Sequence, residues 1–459
     1  MSLTESSAVD VARAACEASR HLATLSDTAR NEALTALFHA LEKNKDAILE
    51  ANRRDVEAAT RATNDGNLSK SILKRLDLAR PGKYDEMLQG ILSVRNLQDP
   101  VGKVTLRTLL DDGLVLERVS CPIGVLLIIF EARPEVIANI SALSIKSGNA
   151  AILKGGKEST ESFAAIAKVI SEAISGTQVP NTSIQLVQTR DAVSSLLAQD
   201  SLIDLVIPRG SNDLVRFVKN NTRIPVLGHA DGLCSAYIHP DADLDVAVKV
   251  IVDSKTDYPA ACNSLETLLV HEDALDSILP VVAEALFKKG VSLRCDSLSK
   301  AALTKKFRNT QGNLVQDSDE SDYDTEFLDL ILAVKTIPST RSPGLAVEKA
   351  IAHINSHSSK HTDIILTKSR ELADLFMKGV DSAGVFWNAS TRLADGMRYG
   401  FGTEVGISTN KIHTRGPVGL TGLTIYKYLI SGNGHGAGDY SSGQGSRKWK
   451  HESLPIDDE

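Results

Sequence analysis

Regular alternation of short apolar strands with helices predicts an α/β fold built on parallel sheets covered on both faces. Three observations carry this reading. From Gly124 onward, Val/Ile/Leu-rich runs recur between helical stretches, the order that a helix-covered parallel sheet requires. The length of 459 residues suits two or three domains. The longest apolar run, Ile123 to Phe130, is far too short to cross a bilayer, so no membrane partner is expected.

Taken in order, apolar residues recur every three or four positions from Ser6 to about Thr60. This predicts two amphipathic helices with Ser26-Asp27 as the capping signal between them. A helix-rich stretch follows to Asp99-Pro100. Alternating residues around Asp111-Asp112-Gly113 predict a β-hairpin over Thr105 to Ser120. Gly124 to Phe130 reads as the first strand of an open sheet, then a helix over 136–146, a strand over 150–154 and a helix over 159–174. Strands at 184–187, 203–207 and 224–227, with a short helix after the first of them and one at 212–219, complete this half. Ligands of such sheets bind beyond the carboxyl ends of the strands, which marks a nucleotide-binding half. A second α/β series begins near Cys234. The acidic run Asp317 to Asp324 reads as a solvated loop, and the Gly/Ser-rich segment from Gly432 as an extended or mobile tail.

The five cysteines, at 16, 121, 234, 262 and 295, are odd in number and form no paired spacing. That argues for a reducing, cytoplasmic compartment, and Met1 to Glu5 carry no secretory pattern. A net charge of −7 with interspersed signs makes a nucleic-acid partner unexpected, so an anionic substrate needs a local basic cluster.

Tyr258-Pro-Ala-Ala-Cys262-Asn263 places one thiol on a Pro-introduced turn, just before the apolar run Leu268 to Val270. A turn exposes the thiol, and backbone N–H groups near a helix start would activate it and hold an oxyanion. The other four cysteines read as packing residues. No Gly-x-Gly-x-x-Gly follows the first strand. Instead Lys154 runs into Gly155-Gly156-Lys157-Glu158, and Pro208 into Arg209-Gly210-Ser211. Ser211 caps a helix whose N-terminus suits a pyrophosphate. Lys154 with Lys157 favours a ribose 2′-phosphate and hence NADP(H), against which Glu158 counts. The alternative is a Gly-rich turn with solvated lysines. His353, His357 and His361 fall four apart, but Asn355, Ser356, Ser358 and Ser359 weaken a helix there and no Cys or Glu completes a ligand set. A loop is expected, and no metal.

Phe130-Glu-Ala-Arg-Pro134, Lys146-Ser-Gly-Asn149, Ile207-Pro-Arg-Gly210, Gly228-His-Ala-Asp-Gly232, Pro259-Ala-Ala-Cys-Asn263, Asp324-Thr-Glu-Phe327, Asn388-Ala-Ser-Thr-Arg392 and Phe401-Gly-Thr-Glu404 occur in that order. Together they resemble the aldehyde dehydrogenase superfamily, and within it the γ-glutamyl phosphate reductases, from the first helices to about Tyr440. The resemblance implies NADPH-dependent reduction of L-glutamyl 5-phosphate through a thioester on Cys262. It implies that Lys154, Lys157, Arg209, Gly210 and Ser211 meet the adenosine and pyrophosphate, and that Glu326 holds the nicotinamide ribose. Its domains would be 1–104 with 121–232 for the cofactor and 233–412 for catalysis. An oligomerisation arm at 105–120 and 413–440 and a mobile tail at 441–459 would complete them. A homo-oligomer and a separate glutamate 5-kinase are the implied partners. Arg133 and Arg392 are the candidate phosphate or carboxylate anchors, with Ser390 and Thr391 as hydroxyl donors; the alternative for each arginine is a structural ion pair. Ser235 stands where many relatives have His. The turn Pro225 to Gly232 lacks the glutamate with which aldehyde-oxidising relatives activate water, which fits phosphate as the acyl partner. The rival readings are a dehydrogenase using CoA or water, and a fold retired to a binding role.

Overall fold

The computed structural model describes residues 3–4, 6–66, 68, 73, 75–187, 192–229, 231–307, 314–441 and 446–456. The chain forms two compact units, the first comprising 1–227, 401–406 and 418–459, the second 228–400 and 407–417.

In the first unit the N-terminal stretch forms three helices where two were expected: α1 (Ala8–Leu22), α2 (Asp27–Lys43) and α3 (Lys45–Asn64). Ser26 does cap α2, its Oγ accepting from Ala29 N–H at 3.2 Å. The additional break falls at Asn44, whose backbone leaves helical geometry at φ −99° and ψ 16° and whose Nδ2 donates back to Ala40 O. After α4 (Lys83–Asn96) comes the expected hairpin, β2 (Val104–Asp111) and β3 (Leu114–Pro122), following β1 (Leu3–Thr4) in the numbering. Gly113 takes φ +73° at its tip, which suits glycine.

β4 (Val125–Phe130), β5 (Ala150–Gly155), β6 (Ile184–Val187) and β7 (Leu205–Arg209) join β1 in a parallel sheet ordered β1-β6-β5-β4-β7. β4 is buried on both faces. Leu126, Ile128 and Phe130 enter one core with α2, α4, α5 (Val136–Lys146) and α6 (Thr160–Ser175). Val125, Leu127 and Ile129 enter another with α1, α7 (Ala192–Leu197) and α8 (Asn212–Asn220). The strand expected over 224–227 is reduced to one bridge, Val206 to Val226, since Pro225 has no N–H for a ladder.

The second unit is a seven-stranded parallel sheet of β8 (Cys234–Ile238), β9 (Leu265–His271), β10 (Ser292–Cys295), β11 (Val315–Asp317), β12 (Ile331–Ile337), β13 (Thr362–Leu366) and β14 (Gly384–Trp387). Its order is β11-β10-β12-β9-β8-β13-β14. Ala236, Leu268 and Val270 pack under α9 (Leu244–Thr256), α10 (Leu279–Phe287) and α11 (Ser297–Lys306). Tyr237, Leu269 and Ile365 pack under α12 (Pro343–His357) and α13 (Arg370–Gly379). The acidic run is not wholly solvated: Asp322 and Tyr323 are buried, with Asp322 paired to Arg294.

β15 (Thr424–Ser431) pairs antiparallel with β3, and β16 (Glu452–Ser453) with β2, giving a sheet ordered β15-β3-β2-β16 in the first unit. Residues 446–456, within the 441–459 segment expected to be a mobile tail, lie against this sheet. Trp449 stacks on Tyr440 at 3.8 Å, Arg447 pairs with Asp111 and Lys450 with Asp112; 442–445 and 457–459 lie outside the described residues. Of the segments assigned to the arm or catalytic part, 401–406 pack with the first unit and 413–417 with the second. Among the described residues no helix is long and apolar enough to cross a membrane.

Candidate active site

In the second unit, α9 ends at Thr256, β9 starts at Leu265, and the connection carries Cys262. Ala261 N–H donates to Tyr258 O at 3.1 Å and Ser264 N–H to Ala261 O at 2.9 Å, closing two successive turns. The turn leads into a strand, so the helix-start contribution expected for the thiol is not part of this site. Across its base, Lys255 Nζ meets Glu266 Oε2 at 2.8 Å, with side chains 0% and 1% exposed. Burial pulls the Lys255 amine down and pushes Glu266 up to about 7 against the nearby lysine charge. The pair ties the end of α9 to the start of β9.

Cys262 is half-buried, and its Sγ lies 3.4 Å from His361 Nε2. His361 stands one residue before β13, is buried, and sets Nδ1 2.9 Å from Thr362 Oγ1. His229 packs edge-on against the His361 ring at 5.2 Å, with Nδ1 3.1 Å from Ile407 O. A Cβ on Gly232 would fall 2.3 Å from Cys262 O and 2.6 Å from Glu326 Oε1. Gly232 thus lies between the Cys262 backbone and the Glu326 carboxylate.

The loop expected over the three spaced histidines is overturned for the first two of them. α12 continues through Asn355 and Ser356 to His357, so His353 and His357 stack at 4.3 Å against each other. The chain then reverses at Lys360, φ +64°, and delivers His361 to Cys262 instead. Sequence reasoning passed over His361 and His229 as partners of the thiol. The available signal was His361 standing directly before the strand-like run Thr362 to Leu366.

Ser390, Thr391 and Arg392 gather at the same turn. Thr391 N–H donates to Ser254 Oγ at 3.2 Å, Ser254 Oγ to Ser390 Oγ at 3.1 Å, and Thr391 Oγ1 is buried without a protein partner. Arg392 follows its ion-pair alternative: Nε lies 3.1 Å from Asp257, and Nη1 bonds Asn263 Oδ1. Cys234 and Cys295 are buried, which pushes both thiols up, Cys295 to about 12. Ser235, at the place of the missing His, is buried and donates its N–H to Asp363 at 2.7 Å.

The first unit holds a cavity of about 550 Å³ at the ends of β5 and β6, lined by Lys154, Lys157, Glu158, Val187, Leu214 and Phe217. Apolar walls for a flat ring stand beside two amines and a carboxylate for ribose and phosphate, so the residues fit a nucleotide. Gly155 is required by packing, since a Cβ there would meet the Phe163 ring at 2.1 Å. Ser211 caps α8, its Oγ accepting from Leu214 N–H at 3.4 Å. The Ser211 N–H, however, donates to Glu131 Oε2 at 2.9 Å, and a Cβ on Gly210 would fall 2.4 Å from that oxygen. A carboxylate thus lies at the helix end expected to meet a pyrophosphate. Arg209 Nη1 donates to Glu404 O at 3.3 Å. Arg133 lies in this unit too, after the turn at Ala132, φ +47°.

The model of the aldehyde dehydrogenase family matches residues 1–297. A Schizosaccharomyces pombe protein described as a probable gamma-glutamyl phosphate reductase is 55% identical over 436 residues, 95% of each chain. The chain belongs to the aldehyde dehydrogenase family, among its γ-glutamyl phosphate reductases. It is accordingly an oxidoreductase. The Saccharomyces cerevisiae gamma-glutamyl phosphate reductase is 51% identical across 98% of this chain and 99% of its own. The Thermotoga maritima crystal structure of that name superposes with TM-score 0.85 at 37% identity, over 94% of this chain and 99% of that one. An acetylating aldehyde dehydrogenase from Geobacillus thermoglucosidasius, TM-score 0.63 at 15% identity, shares the fold alone. The α/β fold expectation is borne out.

Proposed function

We propose that the chain reduces L-glutamyl 5-phosphate to L-glutamate 5-semialdehyde and phosphate, a step of proline biosynthesis, with Cys262 as the nucleophile. The observation that carries this reading is the half-buried Cys262 thiol, 3.4 Å from His361 Nε2, in a chain 55% identical to a relative named for that reaction.

His361 Nε2 takes the thiol proton, with Thr362 Oγ1 holding the ring from the other side. The sulfur bonds to the acyl carbon, the bond to the phosphate oxygen breaks, and phosphate leaves with that electron pair. NADPH, when bound, supplies the hydride that reduces the resulting thioester. The thiohemiacetal oxyanion then re-forms a carbonyl, the C–S bond breaks, and the proton held at His361 returns to sulfur. Thr391 Oγ1, buried without a partner, is the hydroxyl offered to substrate, with Ser390 and Arg392 fixing its segment. Arg133 remains the second candidate anchor. Lys154 and Lys157 bind the adenosine ribose and its 2′-phosphate; a pyrophosphate at Ser211 displaces the Glu131 carboxylate. Arg209 and Gly210 shape that corner, and Glu326 keeps the ribose-diol role. No glutamate in the turn 225–232 activates water, which favours phosphate as acyl acceptor.

The test runs the reaction backwards with pyrroline-5-carboxylate, phosphate or arsenate, and NADP⁺ or NAD⁺. NADPH formation should require the anion, prefer NADP⁺, and vanish in Cys262→Ala. Turnover without either anion would replace this reading with a hydrolytic dehydrogenase.

A further inference from the structure

We propose that Cys262, His361 and His229 form a binding site for a thiophilic transition-metal dication, zinc above all, whose occupation ties up the nucleophile reversibly. The inhibitory consequence rests on the role proposed for Cys262; the binding itself does not.

The three ligand atoms lie within 4.8 Å of one another, and among the described residues this is the only such grouping of His, Cys, Asp and Glu. Zinc takes thiolate and imidazole ligands at about 2.3 and 2.0–2.1 Å, which in a tetrahedron separates sulfur from nitrogen by about 3.6 Å. The Cys262–His361 edge, at 3.4 Å, already has nearly that length. The His229 edges need a contraction of about 1.2 Å at most to reach the same figure, within reach of small side-chain rotations in a half-buried residue.

The surroundings favour ligation as well as proximity. A backbone carbonyl only accepts, so the His229 contact with Ile407 O places the ring proton on Nδ1 and leaves the lone pair on Nε2. His361 is likewise oriented through Nδ1 by Thr362 Oγ1, with Nε2 turned to the sulfur. Such outer bonds are what fix metal-binding imidazoles. The Glu326 carboxylate, 2.6 Å from the position of a Gly232 Cβ, adds negative potential beside the cysteine. Cys262 and His229 are only half-buried, so an ion has access and a fourth position for water. Ligation replaces the thiol proton by the metal and holds the sulfur lone pair, which excludes attack on an acyl carbon.

Cobalt(II) titrated into the full-length protein reports the site directly. A near-ultraviolet thiolate-to-cobalt charge-transfer band with the visible bands of four-coordinate cobalt should appear, and zinc should displace both. Cys262→Ser should abolish the bands. His229→Gln and His361→Gln should each weaken binding by roughly tenfold or more, in proteins whose circular dichroism matches the parent. No band in the parent, or bands that survive in Cys262→Ser or stay at parental strength in both histidine variants, overturn the site. Zinc should also inhibit turnover at its cobalt-displacing concentration, and EDTA should restore it. Metal bound with turnover unchanged would leave the site standing and overturn the role of Cys262 as nucleophile.

Discussion

Gly232 is where one added methyl group does most damage to the nucleophile. A Cβ there would lie 2.3 Å from Cys262 O and 2.5 Å from its Cα, which are backbone atoms that cannot swing aside. Gly232→Ala should displace the turn, lowering kcat/KM about 100-fold, while an overpacked but folded protein loses about 1–3 kcal/mol. Steady-state rates beside a denaturant curve check this; parental turnover would show that Cys262 needs no fixed position. His353 carries a second residue-scale prediction. Burial, then the charges of His357 and Lys335, lower its pKa from 6.5 to about 3 against an opposing Asp324. The unfolded chain takes up the proton near pH 6.5 and the folded one resists it to about pH 3, so stability falls as pH drops through that window. The slope from this one group is at most about 1.4 kcal/mol per pH unit. His353→Phe should flatten the loss between pH 7 and pH 5 in urea unfolding, and an equal loss in both proteins would refute the assignment. The contrast between these residues explains what the sequence made legible. Cys262, Lys154 and Lys157 are singled out as candidates by local motif, and Glu326 by the family resemblance. His361 meets Cys262 across 99 positions of sequence, and only the order of strands brings the two together.

Elements were legible where burial dictates the pattern. The 136–146 helix and the 184–187 strand fall where apolar periodicity puts them, because both are enclosed by core. Expectations failed where one residue decides: Asn44 breaks a helix, Pro225 prevents a strand, and Lys360 reverses a chain in left-handed backbone geometry. Polar contacts between elements left no trace in the pattern at all. The Lys255–Glu266 pair is the most consequential, since it joins the helix before the nucleophile turn to the strand after it. Lys255→Met leaves a carboxylate buried alone and should cost about 3–5 kcal/mol, whereas Lys255→Met with Glu266→Leu removes both charges and should recover most of that. Denaturant unfolding of the two variants decides it. Equal destabilisation would mean that the pair contributes shape and not charge balance.

At the scale of the whole molecule, the sheet of β15, β3, β2 and β16 is hard to reconcile with an isolated chain. Ile430 is 62% exposed and Tyr428 56%, on a strand exposed over nearly its whole length. Among the described residues β15 pairs on one edge only, with β3. A long, apolar, open edge of this kind invites strand addition or sheet packing from another molecule. We expect a second copy of the chain to cover it, with Tyr426, already under the Arg118 guanidinium at 5.1 Å, at the margin of the contact. Sedimentation velocity at micromolar concentration should therefore give a dimer or larger assembly. Tyr428→Glu with Ile430→Glu should raise the dissociation constant at least about 100-fold, since burying each parent side chain is worth about 1.5–3 kcal/mol. A monomeric parent protein would remove the assembly role from this sheet. If the monomeric variant binds cofactor but turns over slowly, the neighbouring copy supports the nucleophile as well as covering the strand; full turnover would confine the arm to assembly.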